Sequence, residues 1–433
     1  MSHPVEEISH LDGMLSYGGL VGEDDPGPAP PVEVVEMHDL RARRLREGGH
    51  VLEDLPSEEH RFAQRAEGVL ELGLQRAEAR QTGLFTEVAA GQPEFVERRG
   101  DRRQMEAWQR LGTYAAGLAL DDAGAKGDAD LLKRMHMIVA AGGGERDYAV
   151  DGQILSGLEA SNEPGKFLNE RLMNDLRPTL FLAQLSNLLA GNISIVHGVV
   201  GSSRTFMGEE MAGVDAVRVA LGRCHAGQGD IFLVGGAYSA ERPDTILHFE
   251  LGHMNWTKPW TPVWERPKDG GGTILGSVGA FLVIEAREHA EKRGAKPIAR
   301  LTKVSSDRSR RKDGDAEHSM AVQWNEISPG LIPGATVVVS GATGVSEPVA
   351  IERDLLDQRR VPTRATGSVI GHSVEATFPA NVALAAMMVQ RGEAVPPIGA
   401  SKDEARMTRK VKQAVVTSVG HWRGEGMALV EAV

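Results

Sequence analysis

Apolar positions along the chain change period several times after Arg98, and each change predicts an element. Trp108, Leu111, Tyr114, Ala115 and Leu118 recur at helical spacing, so Met105 to Ala123 reads as a helix ended by Gly124. Met137 to Ala141 is a continuous apolar run into Gly142-Gly-Gly144, the mark of a buried strand. Leu180 to Leu189 reads as an apolar helix, Ile193 to His197 as a short strand or turn, and Gly213 to Arg223 as a helix. Asp230 to Val234, Gly279 to Ile284, Ile298 to Val304, Thr336 to Ser340, Ala414 to Thr417 and Met427 to Val430 read as strands. Ala286 to Arg293 and Ala380 to Gln390 read as helices. Such alternation predicts an α/β sandwich with buried sheets.

Residues 1–97 have a different texture. Asp24-Asp-Pro-Gly-Pro-Ala-Pro-Pro31 excludes helix and central strand, because proline fixes φ and removes donors. Residues 38–49 are crowded with Arg and Glu, and Ser57 to Arg80 fits one charged helix capped by Ser57. The segment carries little core, and residues 1–50 are expected to be poorly ordered.

Bulk composition narrows the classes. With 433 residues and 41% apolar content the chain can bury a sizeable core. The net charge of −12 argues against a non-specific nucleic-acid surface. A single cysteine, Cys224, excludes a disulfide framework and a cysteine zinc cluster. No apolar run reaches 18 residues, and no N-terminal apolar segment is visible, so a cytoplasmic protein without a membrane span is expected. Gly142-Gly-Gly-Glu-Arg146 and Gly270-Gly-Gly272 match no full dinucleotide or phosphate-loop pattern. The histidines show no metal-ligand spacing along the chain, and no metal or cofactor is expected.

Seven stretches carry more specific information. Ala190-Gly-Asn-Ile-Ser-Ile-Val-His-Gly, Gly201-Ser-Ser-Arg-Thr-Phe-Met-Gly-Glu-Glu210 and Leu233-Val-Gly-Gly-Ala237 form one frame. Gly276-Ser-Val-Gly-Ala-Phe-Leu-Val-Ile-Glu-Ala-Arg-Glu-His-Ala-Glu-Lys-Arg-Gly-Ala295 is a second. Ala342-Thr-Gly-Val-Ser-Glu-Pro348, Gly367-Ser-Val-Ile-Gly-His372 and Ser418-Val-Gly-His-Trp-Arg-Gly-Glu425 complete the set. Together they resemble the β-ketoacyl-[acyl-carrier-protein] synthase II family over about residues 105–433. The family's patterns there are "G-H-x-S-I-x-x-G-x-x-G-P", "T-A-C", "A-G-G-A", "A-H-G-T-S-T-P", "K-S-x-x-G-H" and "S-F-G-F-G-G-T-N".

The resemblance implies the thiolase fold, two similar α/β halves in a layered α-β-α-β-α sandwich, usually dimeric. Residues 98–245 and 246–433 would be the two halves, with 1–97 an atypical N-terminal segment, either a replacement N-terminus or a misread frame. It also implies a Cys–His–His site, with the thiol on a tight turn at the N-terminus of a buried helix. The cysteine position falls on Glu210, the first histidine position on Thr343, and the second histidine is retained as His372. Gly367 stands where the motif has lysine, and the last glycine loop is eroded. Cys224, fourteen residues beyond Glu210 and just past the expected helix, reads as an inert thiol.

Three functions follow as expectations. The first is a non-condensing partner subunit, similar to chain-length factors, that shapes the acyl tunnel of an intact synthase in a heterodimer. The chain would otherwise be a homodimer, and either form would meet an acyl carrier protein bearing substrate on phosphopantetheine. Segments 112–120, 137–147 and 176–190 are similar to alphaproteobacterial homologues, which implies very-long-chain acyl groups of lipid A. The second is a malonyl-ACP decarboxylase with Glu210 protonated by burial. The third is a conventional 3-oxoacyl-ACP synthase, an acyltransferase, using another nucleophile.

Overall fold

In the computed structural model, residues 105–144, 147–175, 185–398 and 404–433 are described. All of them lie within one compact unit, Arg65–Val433. The expectations for residues 1–97 and for 180–184 fall outside the described residues.

The chain runs through helix α1 (Ala107–Asp122), α2 (Ala129–Arg134), strand β1 (His136–Ala140), α3 (Tyr148–Ala160), α4 (Pro164–Asn174), α5 (Leu188–His197) and β2 (Ser203–Phe206). It continues with α6 (Glu210–His225), β3 (Ile231–Tyr238), α7 (Pro243–Leu251), β4 (Val278–Glu285), α8 (Arg287–Arg293) and β5 (Arg300–Asp307). Then come α9 (Asp315–Ile327), β6 (Thr336–Ser340), α10 (Ser346–Arg359), β7 (Thr363–Ala365), α11 (Thr377–Arg391), β8 (Gln413–Val419) and β9 (Glu425–Glu431). Among the described residues, no helix is long and apolar enough to cross a membrane.

Two sheets form, a four-stranded one in the order β2-β1-β3-β4 and a five-stranded one in the order β5-β9-β8-β6-β7. β1 is parallel to β2 and β3, and β4 closes the first sheet antiparallel to β3. In the second sheet β6 is parallel to β7 and β8, while β9 is antiparallel to β8 and β5. β4 lies beyond the junction expected at 245/246 yet belongs to the first sheet.

Side-chain alternation along each strand sorts residues between layers. Ile138 and Ala140 of β1 face inward with Phe232 and Val234 of β3, onto α6 and α11. Met137, Val139 and Leu233 face the other way, onto α1 and α5. In the second sheet Val337, Val339, Ala414 and Val416 meet the same central helices, and Val338, Val415, Met427 and Leu429 meet α9 and α10. The layers are therefore α-β-α-β-α, the sandwich expected from the sequence. Both faces of the central strands are buried, which explains their unbroken apolar runs.

α6 is buried on nearly every side, from Glu210 through Val217 and again at Ala220 and Leu221. Its small residues permit this. A Cβ added to Gly213 would stand 2.3 Å from the Glu375 carbonyl oxygen and 2.9 Å from Pro379 Cδ. One expectation fails locally. Ile193 to His197, read as strand or turn, is the second half of helix α5, whose apolar residues lie against α1 and β1 and which ends at Gly198 with φ +75°.

Gly213→Ala is expected to destabilise the fold by about 1–3 kcal/mol through overpacking of the helix against residues 375–379. Urea denaturation measures it, and unchanged stability would contradict the central-layer packing.

Candidate active site

β2 leads through Gly208 into α6, and Glu210 is the first residue of that helix. The position read as the nucleophile's therefore does stand at the N-terminus of a buried helix. Glu210 is 2% exposed, and one of its oxygens, Oε1, meets two imidazoles. His372 Nε2 lies 2.9 Å away and His421 Nδ1 2.5 Å away. An ionised carboxylate only accepts, so both nitrogens carry protons in this arrangement.

Each histidine is fixed by its own segment. The His372 amide donates to the Ile274 carbonyl, and the Gly276 amide donates back to the His372 carbonyl, each at 2.8 Å. Its ring Nδ1 lies 3.5 Å from Thr377 Oγ1. His421 sits in the turn between β8 and β9, closed by a 2.9 Å bond from Gly420 N to Gly424 O. Gly424 has φ +92°, and a Cβ there would come within 1.9 Å of Met211 Cγ, so glycine alone lets this turn lie on the first turn of α6. The two rings stand 4.7 Å apart, edge to face, and Phe249 packs edge-on against both.

The charge state follows from these contacts. Burial by itself would raise the Glu210 pKa, but the charge of His421 and the hydrogen bonds from His372 and His421 overcome it. The carboxyl is held well below its ordinary value of 4.5. Burial pushes His372 below its ordinary 6.5, only partly offset by its bond to Glu210. The expectation that burial would keep Glu210 protonated is thus corrected, because two donors converge on one oxygen. Glu210 Oε2 and His421 Nε2 are buried without a hydrogen-bond partner among the described residues.

The other residues singled out in the sequence fall around this centre or away from it. Thr343 is buried, but its hydroxyl accepts from Val345 N at 3.3 Å and its carbonyl from Arg266, so it is tied to its own loop. At Gly367 a Cβ would stand 2.5 Å from the Ala342 carbonyl oxygen, which leaves no room for the motif's lysine. Cys224 lies inside the last turn of α6, not beyond it, about 21 Å along the axis from Glu210. Burial and the nearby charges of Asp230, Glu285 and Glu288 push its thiol pKa up, away from thiolate character. Gly142 donates to Glu375 Oε1 at 2.8 Å, while the carbonyls of Gly143 and Gly144 accept from Arg242. Burial pushes the Glu375 carboxyl up to about 7.

His421 is the site residue that motif reading passed over. The signal was present: the loop pattern "S-F-G-F" has become Ser418-Val-Gly-His421, a base gained alongside the acid at 210. Glu210, His372 and His421 also bring one possible metal-ligand atom each within 4.8 Å of one another. Spacing along the chain could not reveal that set.

Comparison with known proteins agrees with the fold. Residues 36–290 match the model of the β-ketoacyl synthase N-terminal domain. The chain belongs to the β-ketoacyl synthase family. The match begins at residue 36, so family signal extends upstream of the motifs that had placed its start near residue 105. 3-Oxoacyl-[acyl-carrier-protein] synthase 2 of Vibrio cholerae is 24% identical over 249 residues, 56% of this chain and 55% of that protein. The chain thus spans just over half of that relative, and 66% of the synthase 2 of Vibrio harveyi. Among solved structures, the ishigamide ketosynthase/chain length factor superposes with a TM-score of 0.60 at 19% identity, over 76% of this chain and 83% of that one. A type II polyketide ketosynthase in complex with its acyl-carrier protein gives 0.57 at 16% identity, over 80% and 88%. These similarities show the ketosynthase fold.

Glu210→Gln should cost about 1.5–3 kcal/mol at neutral pH, the range for hydrogen bonds to a charged group. A depressed folded-state pKa contributes stability above the ordinary value that is lost as pH falls through the folded one. Wild-type stability should therefore drop as pH falls below 4.5, where Glu210→Gln should lose less. Denaturant midpoints across pH measure both, and parallel profiles would refute the charge assignment.

Proposed function

We propose that this β-ketoacyl synthase family member is a cytoplasmic, non-condensing partner subunit in fatty acid or polyketide biosynthesis. It pairs with an intact synthase and shapes that enzyme's acyl tunnel, with substrates carried on the phosphopantetheine of an acyl carrier protein. The observation that carries the reading is the Glu210 carboxylate, locked between His372 and His421 where a nucleophile would stand. A carboxylate is a poor acyl acceptor, since its anhydride hydrolyses, and here one of its two oxygens is committed to two donors.

Two further observations support the reading. β2 is paired only with β1 among the described residues, and Ser203 and Arg204 are exposed along it with Val200 and Met207 at its ends. An open edge strand is a template for a partner strand, and in the resembled family the dimer face lies against the strand leading to the nucleophile. The solved ketosynthase/chain length factor also shares this fold. The likeness of residues 112–120 and 137–147 to alphaproteobacterial homologues supports very-long-chain acyl groups as the narrower substrate class.

The decarboxylase reading is weaker. An ionised Glu210 would repel a malonyl carboxylate by ~4 kcal/mol at about 4 Å and an effective dielectric of about 20. The conventional synthase reading lacks a thiol, since Cys224 lies at the far end of α6.

Co-purification from the native host should return a 1:1 heterodimer with an intact Cys–His–His synthase. A protein that stays homodimeric when mixed with every synthase of its host would defeat the partner role.

Intact-protein mass spectrometry after incubation with acyl-ACP should show no adduct on the wild-type chain. Glu210→Cys should accept some acyl groups, because a helix N-terminus favours a thiolate, without restoring condensation. A covalent acyl adduct on the wild-type protein would overturn this reading of the site.

A further inference from the structure

We propose that Glu210, His372 and His421 bind one divalent transition-metal cation of the zinc class inside the fold. The site shares its residues with the reading above but stands apart from the partner role, which needs no metal.

The ligand set is two imidazole nitrogens and one carboxylate oxygen. That combination selects zinc-class ions over magnesium or calcium, which prefer all-oxygen sites. The three side chains come from separate segments: the first turn of α6, the loop held against Ile274 and Gly276, and the β8–β9 turn. They converge so that all three donor atoms lie within 4.8 Å of one another. Zinc with bonds of ~2.0–2.2 Å holds its ligand atoms roughly 3.3 Å apart. Here Glu210 Oε1 lies 2.9 Å from His372 Nε2 and 2.5 Å from His421 Nδ1, and the donor atoms of the set lie within 4.8 Å of one another, so side-chain shifts of about 1.5 Å or less would seat the ion. All three residues are buried, and Phe249 packs against both imidazoles, so the set is shielded from solvent and supplies three protein ligands, leaving a fourth position for water.

An independent observation points to a ligand. Glu210 Oε2 is buried and has no hydrogen-bond partner among the described residues, although Oε1 of the same carboxylate is shared by two rings. A cation seated between the three groups would take Oε2 or Oε1 as ligand and end that asymmetry. On binding, the ring proton facing Glu210 is displaced: a neutral ring shifts it to its other nitrogen, a protonated ring releases it to solvent, and the freed lone pair becomes the metal bond. For His372 the proton then faces Thr377 Oγ1, at 3.5 Å, as a supporting acceptor. The carboxylate would lie between the cation and the positive end of α6.

The test uses the full chain without a polyhistidine tag, produced in zinc-supplemented medium and dialysed against metal-free buffer. Plasma mass spectrometry should find about one zinc per chain, the stoichiometry of a single site. Cobalt exchange should give visible ligand-field absorption. Glu210→Gln, His372→Gln and His421→Gln should each lose the metal, whereas His318→Gln, at an exposed position on α9, should keep it. Circular dichroism verifies folding. Should a variant fail to fold, X-ray absorption of the zinc-loaded wild type decides: two imidazole scatterers support the site, and a shell without them overturns it. A folded wild-type chain that takes up neither zinc nor cobalt stoichiometrically also overturns it, as does metal retained by all three variants. Metal content is read on the isolated chain and partnership on the mixture, so either reading can fail alone.

Discussion

A carboxylate at the first turn of a central helix stays charged away from water only when donors surround it. Desolvating an ion costs several kcal/mol even after the protein relaxes. In this chain the compensation comes from His372, His421 and the positive end of α6. That requirement ties together three segments far apart in sequence. His372 lies 162 residues from Glu210, and His421 lies 211 residues from it. The loop bound to Ile274 and the β8–β9 turn must both be in place for the helix terminus to be stable.

The five layers make this convergence possible. α6 and α11 lie between the two sheets, so the start of α6 is reached by loops from both halves. Glycine at 213 lets residues 375–379 approach α6, and glycine at 424 lets the His421 turn rest on Met211. Larger residues at either position would push apart the segments that bear His372 and His421. The packing of small residues is thus a condition of the electrostatics.

The changes at the site form a coherent group. An acid at 210 is matched by a base at 421, and the loss of the motif's lysine leaves Gly367 pressed against the Ala342 carbonyl. Thr343 has turned to its own loop and takes no part in the bonds at Glu210. Groups that in the resembled family would meet a substrate here meet one another.

Much of this was legible in one dimension. The strands at Thr336–Ser340 and His136–Ala140 and the helix at Ala107–Asp122 announce themselves, because burial of one or both faces writes a period into the sequence. The place of Glu210 at a helix start and the survival of His372 followed from motif frames. Ile193 to His197 did not, because a short apolar run fits helix or strand until its packing against α1 and β1 is known. α9 and α10, with mixed polar faces, gave weaker periodicity than the strands they cover. Tertiary structure alone decided that His421 belongs with Glu210, that Thr343 does not, and that Glu210 is ionised. Each depends on which donors stand within about 3 Å of an oxygen, and hydrogen bonds of that kind join residues by folded distance rather than by order along the chain.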